Sequence, residues 1–234
     1  MLAAEGAPDH GHVEHPHRQG ASEQRDEEPL HWPYASTMDP AHPAVRLATP
    51  ADVDAVARMV AEAFATDPAW SFIIGRDNPS AMSAFARTLL VARISRRTAW
   101  VTDDCGAVAM WDRKSLDVAV DDDHAARWAA FRAEVGEDIW SRLEAYDAAV
   151  TAVAPPQPYW YLGVLATHPD LHGRGLASAV LRPGLDAADA DGWDCWLETS
   201  TPGNKAFYAG RGFTDAVPFD IPGGAPSWWL RRPA

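Results

Sequence analysis

The most constraining feature of this chain is a stretch in which an apolar strand passes through a proline-marked turn and a glycine-rich loop into a helix. It covers residues 159–181 and reads YWYLGVLATHPDLHGRGLASAVL. Gly173 and Gly175 have no side chains, so a phosphate could approach their backbone amides closely. The following helix directs the positive end of its dipole at the same place. The stretch therefore predicts a site for a phosphate-bearing ligand at the start of this helix.

Two widespread phosphate-binding patterns do not fit this loop. No Gly-Lys-Ser/Thr follows the glycines, which excludes a Walker A loop. Ala177 and Ser178 stand where the dinucleotide-binding pattern GxGxxG requires its third glycine. The alternative without function is an ordinary turn from a strand to a helix.

The loop resembles the pyrophosphate loop of the Gcn5-related N-acetyltransferases, whose pattern is Gln/Arg-x-x-Gly-x-Gly/Ala. Residues 172–177, His-Gly-Arg-Gly-Leu-Ala, match that pattern except that His172 replaces Gln or Arg. The resemblance extends over about residues 45–234 and is strongest from 159 onward. Within the family, several segments are most similar to the puromycin N-acetyltransferases, among them residues 197–200 and 204–213.

The resemblance implies an α/β protein with the GNAT fold, a mixed twisted sheet of about six to seven strands flanked by helices. It implies acetyl-CoA as co-substrate and an acetyltransferase that modifies the primary amine of a small molecule. If the likeness to the puromycin enzymes holds, that molecule is an antibiotic or a related aminoacyl metabolite. Two alternatives are acetylation of a protein N-terminus and a non-catalytic acyl-CoA-binding module.

The chemistry of amide formation needs a base for the amine and an acid for the departing thiol. The family places a tyrosine near the sulfur, and Tyr208 occupies that position, so we expect it to be the acid. Its structural alternative is an aromatic side chain that packs the short helix onto the core. Glu198 is the candidate base, because an acid within the apolar strand 193–199 is costly unless it is paired or functional. The alternative is that Glu198 lies on the solvent-facing side of the sheet and has no catalytic role.

We expect the cofactor to be held by backbone groups, loop residues and one amide side chain. The resemblance assigns the pantetheine contacts to the end of the strand, the pyrophosphate contacts to the loop, and a further contact to an asparagine. These candidates are Leu165, Ala166, Thr167, His172, Gly173, Arg174, Gly175, Leu176, Ala177 and Asn204. The aromatic residues Trp160, Tyr161, Trp196, Trp228 and Trp229 favour a flat or cationic acceptor, although most tryptophans should lie in the core.

Composition narrows the partners. The net charge of −13 argues against nucleic acid and against an anionic membrane surface. The two cysteines, Cys105 and Cys195, have no metal-ligand spacing, so we expect no metal site and no disulfide. With no apolar run of membrane-spanning length and no signal peptide, the chain reads as a cytoplasmic monomer or homodimer. Residues 1–44 are acidic and lack apolar periodicity, which predicts a disordered tail before the domain at 45–234.

Periodicity and turn residues predict the remaining elements. We expect strands at 45–49, 98–102, 107–111, 159–167 and 193–199, and a hairpin of 213–219 with 227–231. We expect helices from Pro50 to about Ala65, at 80–97, at 175–189 and at 205–211, and one long helix over about 121–153. Asp67-Pro68 is predicted to end the first helix.

Overall fold

Seven strands form one mixed sheet in the computed structural model, which describes residues 43–116, 123–223 and 225–234. The strand order is β1-β2-β3-β4-β5-β7-β6, and only β4 and β5 run parallel. The strands are β1 Val45–Leu47, β2 Ala99–Thr102, β3 Ala107–Lys114, β4 Tyr159–Thr167, β5 Cys195–Thr199, β6 Asp215–Asp220 and β7 Pro226–Arg232. This mixed α/β sheet confirms the predicted fold class. The predicted tail lies outside the described residues, apart from its last two positions.

Seven α-helices flank the sheet within the described ranges. In addition, a short 3-10 helix at Pro50–Asp52 lies directly before the first α-helix, and another at Pro169–Leu171 lies directly before the glycine-rich loop. The α-helices are α1 Val53–Ala63, α2 Pro68–Ile74, α3 Pro79–Ser95, α4 His124–Val135, α5 Glu137–Ala152, α6 Leu176–Asp191 and α7 Pro202–Ala209. Thr49 is the N-cap of the first helical segment, and Pro50 is its first residue, as predicted.

The two faces of β3 supply two different cores. Val108 and Met110 pack into a cluster with α1, α3, α4 and α5, whereas Trp111 packs with α6 on the other face. Successive side chains of a strand point to opposite faces, which accounts for this division. On α6, Gly184 makes room for the indole, since a Cβ there would lie 2.2 Å from Trp111 Nε1. Helices therefore cover both faces of the sheet.

The parallel strands β4 and β5 separate soon after they meet. They pair only at Trp160 with Cys195 and at Tyr161 with Trp196. Beyond these pairs, β4 follows β3 as far as Thr167, while β5 follows β7 as far as Thr199. The separation opens a gap between the carboxyl ends of the two strands, which is where ligands bind in many parallel sheets.

One helix prediction was wrong, and one helix was not predicted. The predicted helix over 121–153 is two helices in the described part, because Gly136 breaks it with φ of +82°. Asp67-Pro68 does not only end a helix. The Asp67 carboxylate accepts a hydrogen bond from the backbone amide of Trp70 at 3.0 Å and caps α2, which the sequence analysis missed. Residues 121 and 122 lie outside the described ranges.

Three further features of the described residues bear on the sequence analysis. Both cysteines are free, and Cys195 is fully buried as a core thiol. No group of histidine, cysteine or acidic side chains there could hold a metal ion. Across the same ranges, every helix is too short or too polar to cross a bilayer.

Candidate active site

A cavity of about 510 Å³ lies where β4 ends and α6 and α7 begin. We call it the main cavity. The sequence analysis had selected nine of the residues that line it, and the structure adds four more. Its lining consists of Leu165, Thr167, Leu171, His172, Gly173, Gly175, Leu176, Ala177, Ser178, Asn204, Phe207, Tyr208 and Arg211.

The loop before α6 keeps its backbone open to this cavity. Gly173 and Gly175 have φ of +77° and +79°, a region that disfavours residues with a Cβ. A Cβ added at either would meet no atom within 4 Å, so the space over the loop is free. Gly175 is also the N-cap of the 16-residue helix α6. Uncovered amides and a helix N-terminus together make a cradle for an anion.

Three of the predicted cofactor-binding residues differ in their position relative to the main cavity. The His172 ring is held by a contact of 3.1 Å between Nε2 and the Thr167 carbonyl oxygen. Arg174 is exposed and does not line the main cavity. Ala166 points its methyl group into the core with α1 and α3, which leaves only its backbone near the gap.

Arg211 is a functional candidate that the sequence analysis missed. It lies three residues after Tyr208 and is the one arginine or lysine among the described residues that line the main cavity. Its guanidinium donates to the Phe207 carbonyl oxygen at 2.6 Å and to the Ser178 hydroxyl on α6. Burial lowers the pKa of Arg211 but leaves it cationic. In the sequence, the only feature that could have indicated Arg211 was its position about one helical turn after Tyr208.

Two smaller chambers lie near the gap between β4 and β5 and share lining residues with the main cavity or with each other. The near chamber, of about 70 Å³, shares Leu165, Asn204 and Tyr208 with the main cavity. The far chamber, of about 60 Å³, shares the near chamber's Glu198. The other residues common to both chambers are Trp70, Tyr146 and Gly163. The three spaces therefore form a series from the loop to Glu198 and beyond.

Tyr208 stands between the main cavity and the near chamber. Its ring is buried against Phe213, with ring centroids 5.7 Å apart. Among the described residues, no hydrogen bond holds its hydroxyl group. Burial, followed by the negative charge of Glu198, raises the pKa of Tyr208 above its ordinary value. The phenol therefore keeps its proton at neutral pH, and it is a weaker acid than a phenol in water.

Glu198 lies on β5 with its carboxylate between two tyrosines. Oε1 accepts hydrogen bonds from the Tyr161 hydroxyl at 2.5 Å and from the Tyr146 hydroxyl at 3.2 Å. Oε2 is buried and has no partner among the described residues. Burial raises the pKa of Glu198, and the two hydrogen bonds only partly oppose that effect. This is the pKa shift that a base for an ammonium group requires.

Asn204 is placed on α7 where it can face both spaces. Its side-chain nitrogen donates to the Thr199 hydroxyl at 3.4 Å. Because it lines both the main cavity and the near chamber, it can contact a ligand that passes from one to the other.

The aromatic side chains around the chambers are mostly not those that the sequence analysis selected. Tyr161 lines the far chamber, but Trp160, Trp196, Trp228 and Trp229 line neither chamber. Instead, α2, α3 and α5 provide the walls. The aromatic residues that line one chamber or both are Phe64, Trp70, Phe85, Tyr146, Tyr161 and Tyr208. The spacing of Phe64, Phe85 and Tyr146 is typical of helix core, so no local pattern marked them as chamber residues.

Comparison with models of protein families identifies the family of this chain. The model of the acetyltransferase (GNAT) family matches residues 93–213, a range that contains the loop, Glu198 and Tyr208. The chain belongs to the GNAT family. As a GNAT it is an acetyltransferase, and acetyl-CoA is the acyl donor that this family generally uses.

Solved structures agree with this GNAT assignment. A Corynebacterium glutamicum protein described as histone acetyltransferase HPA2 and related acetyltransferase is 26% identical, with a TM-score of 0.53, over 82% of this chain and 96% of that chain. Arylalkylamine N-acetyltransferase 2 from Aedes aegypti is 10% identical, with a TM-score of 0.55, over 80% and 96%. An N-acetyltransferase from Staphylococcus aureus Mu50 is 16% identical, with a TM-score of 0.53, over 80% and 99%. The last two, at such low identity, show a shared fold alone.

Proposed function

We propose that this GNAT uses acetyl-CoA to acetylate the primary amine of a small molecule, with acetyl-CoA in the main cavity and the amine in the near chamber. The observation that carries the proposal is that Tyr208 lines both spaces, while Glu198 lies on the amine side of it. A donor and an acceptor bound in these spaces would meet beside a phenol and a buried carboxylate. Acetyl transfer to an amine requires an acid and a base of this kind.

The main cavity suits the phosphates and the long arm of acetyl-CoA. The open amides at Gly173 and Gly175 and the N-terminus of α6 would hold the pyrophosphate. Arg211 would add a cation where the family pattern has Gln or Arg and this chain has His172. Leu165 and Thr167 would border the arm along the free edge of β4. When bound, acetyl-CoA supplies an activated acetyl group on a thioester.

In the mechanism that we propose, Glu198 and Tyr208 handle the protons. An amine is nucleophilic only when neutral, and Glu198, whose pKa is raised by burial, can accept the proton that the ammonium form carries. Tyr208 is protonated at neutral pH, and burial raises its pKa further. It can therefore donate a hydrogen bond to the sulfur and, as the C–S bond breaks, a proton to the leaving thiolate. The nitrogen that has formed the new C–N bond then loses its second proton, which restores the Tyr208 phenol, and Glu198 releases the first proton to solvent. The products are an N-acetyl amide and a thiol.

The GNAT fold does not determine which amine is the acceptor. An antibiotic such as puromycin remains the acceptor that the sequence resemblance suggests. Each chamber is smaller than the cavity of about 150 Å³ that holds a benzene ring. Only the amine and its nearest atoms would therefore fit inside, and the body of a larger acceptor would lie outside.

A turnover screen with acetyl-CoA tests this proposal. We expect release of thiol, detected with a disulfide reagent, together with an acetylated amine, detected by mass spectrometry. The panel should contain simple alkylamines, aminonucleosides including puromycin, aminoglycosides and peptides with a free N-terminus. Acetylation confined to peptides would favour a protein N-terminal acetyltransferase, and binding of acetyl-CoA without turnover of any amine would favour a non-catalytic module.

A further inference from the structure

The two chambers around Glu198 are lined by carboxylates from three separate elements. Asp67 borders the near chamber at the start of α2, and Asp147 borders the far chamber from α5. Glu198 borders both from β5. These three residues are far apart in the sequence, so they converge only in the folded chain.

The cationic side of the chambers is much weaker. Arg93 is the one arginine or lysine that lines either chamber in the described part of the chain. Its guanidinium is already paired, at 2.6 Å, with the buried carboxylate of Asp112. Arg96 and Lys114 also contact Asp112, at 3.2 Å and 3.7 Å, but neither lines a chamber. Among the described side chains that line the chambers, three are acidic and only Arg93 is basic, so acidic groups are in excess there.

Two further observations point to a cationic occupant of limited size. The Oε2 atom of Glu198 is buried without a hydrogen-bond partner, so a donor is missing at the point where both chambers meet. Aromatic and apolar side chains, including Trp70, Phe85 and Leu89, form the rest of the far chamber. An ammonium group with a short apolar substituent would satisfy the first feature and bury its carbons against the second.

We propose that the acceptor site is selective for a compact primary amine with an apolar substituent and no carboxylate on the carbon that carries the amine. This inference rests on the proposed function and names the substrate class of the same site. A carboxylate on that carbon would enter the near chamber beside Asp67 and Glu198. Like charges placed together in a partly buried site repel one another and weaken binding.

Three amines of nearly the same shape test this selectivity. These are 3-methylbutylamine, leucine, which adds a carboxylate on the amine-bearing carbon, and leucinamide, which replaces that carboxylate by a neutral group of similar size. We expect kcat/KM for leucine to be at least about a hundredfold below that for the other two. If leucinamide is as poor as leucine, the exclusion is steric and the proposal is wrong.

Variants locate the effect in the chambers. Asp67→Asn should narrow the preference for leucinamide over leucine and keep α2 intact, because Asn caps a helix as well as Asp does. Asp147→Asn should narrow it as well. Glu144→Gln, on the exposed side of α5, removes one charge from the same helix and should leave the preference unchanged. Because the three amines ionise differently, the change of this ratio between variants is the decisive readout.

The outcomes separate this inference from the proposed function. Equal turnover of leucine and leucinamide, or a ratio that neither Asn variant moves, would overturn the selectivity and leave acetyl transfer standing. No acetylation of any of the three, with acetyl-CoA bound and the wider panel also inactive, would overturn both.

Discussion

The two sides of the active site are built in different ways. All the residues that line the main cavity come from two short segments, 165–178 and 204–211, which contain the glycine-rich loop and most of α7. The chambers beyond Tyr208 combine residues from α2, α3, α5, β4 and β5. Under the proposed function, donor binding would therefore depend on local backbone geometry, whereas acceptor binding would depend on long-range packing.

The largest expected effect is on the loop side. Gly175→Glu should weaken acetyl-CoA binding by more than about a hundredfold, because it adds a negative charge beside the phosphates and forces a side chain into the open cradle. Titration calorimetry measures this change. Gly192→Glu is the matched control, since Gly192 also has positive φ and no atom within 4 Å of an added Cβ. Both variants place a side chain on a residue in the left-handed region, and unchanged affinity in Gly175→Glu would remove the loop from the site.

The second effect falls at the residue shared by both sides. Tyr208→Phe should reduce kcat by about a hundred- to ten-thousand-fold and leave the affinity for acetyl-CoA unchanged, since the ring still packs while the proton is lost. Pre-steady-state kinetics should be used so that chemistry is the observed step. Tyr159→Phe serves as control, because Tyr159 is a buried strand tyrosine that lines none of the three cavities. A wild-type rate in Tyr208→Phe would leave Tyr208 as a packing residue.

The third effect belongs to the chamber side and depends on pH. Glu198 acts as a base only when it is ionised, and burial raises its pKa, so kcat/KM should fall as the pH drops through that raised pKa. Glu198→Gln should reduce turnover about a hundredfold at neutral pH and should recover as the pH rises, because free amine then needs no base. The Tyr208→Phe defect should not recover in this way. Equal recovery of both variants would contradict the separate roles.

The smallest effect should distinguish phosphate contacts from backbone contacts in the main cavity. Arg211→Met should weaken acetyl-CoA binding about tenfold, because one charge-assisted contact is lost while the loop remains. Arg182→Met is the control, since Arg182 is exposed on α6 and pairs with Asp186 at 2.6 Å. An equal loss of affinity for a pantetheine fragment without phosphates would show that Arg211 contacts the arm instead.

The same division explains how much could be predicted from the sequence. The fold class, the bounds of β4 and the loop were predictable because each depends on neighbouring residues: a nearly continuous apolar run, glycines with positive φ and a helix start. The break at Gly136 was missed because an Ala- and charge-rich segment favours helix on both sides of it. The helix α2 was missed because Asp67-Pro68 is equally a helix stop and a helix start.

The roles within the site were predictable to different degrees. Glu198 stood out as an acid in an apolar strand, but its partners Tyr146 and Tyr161 are 52 and 37 residues away. No pattern in one sequence reports such a distance. Asp67 and Asp147 were invisible as chamber residues for the same reason, and Arg211 had no motif of its own.

The central claim is that a donor in the main cavity and an amine in the near chamber react beside Tyr208. The most direct test is a single turnover with limiting acetyl-CoA and excess 3-methylbutylamine, in which free thiol and N-acetyl product are quantified together. The account predicts equal amounts of both, slowed in Tyr208→Phe and absent in Gly175→Glu. Thiol release without amide, or bound acetyl-CoA that acetylates no amine of the wider panel, would contradict it.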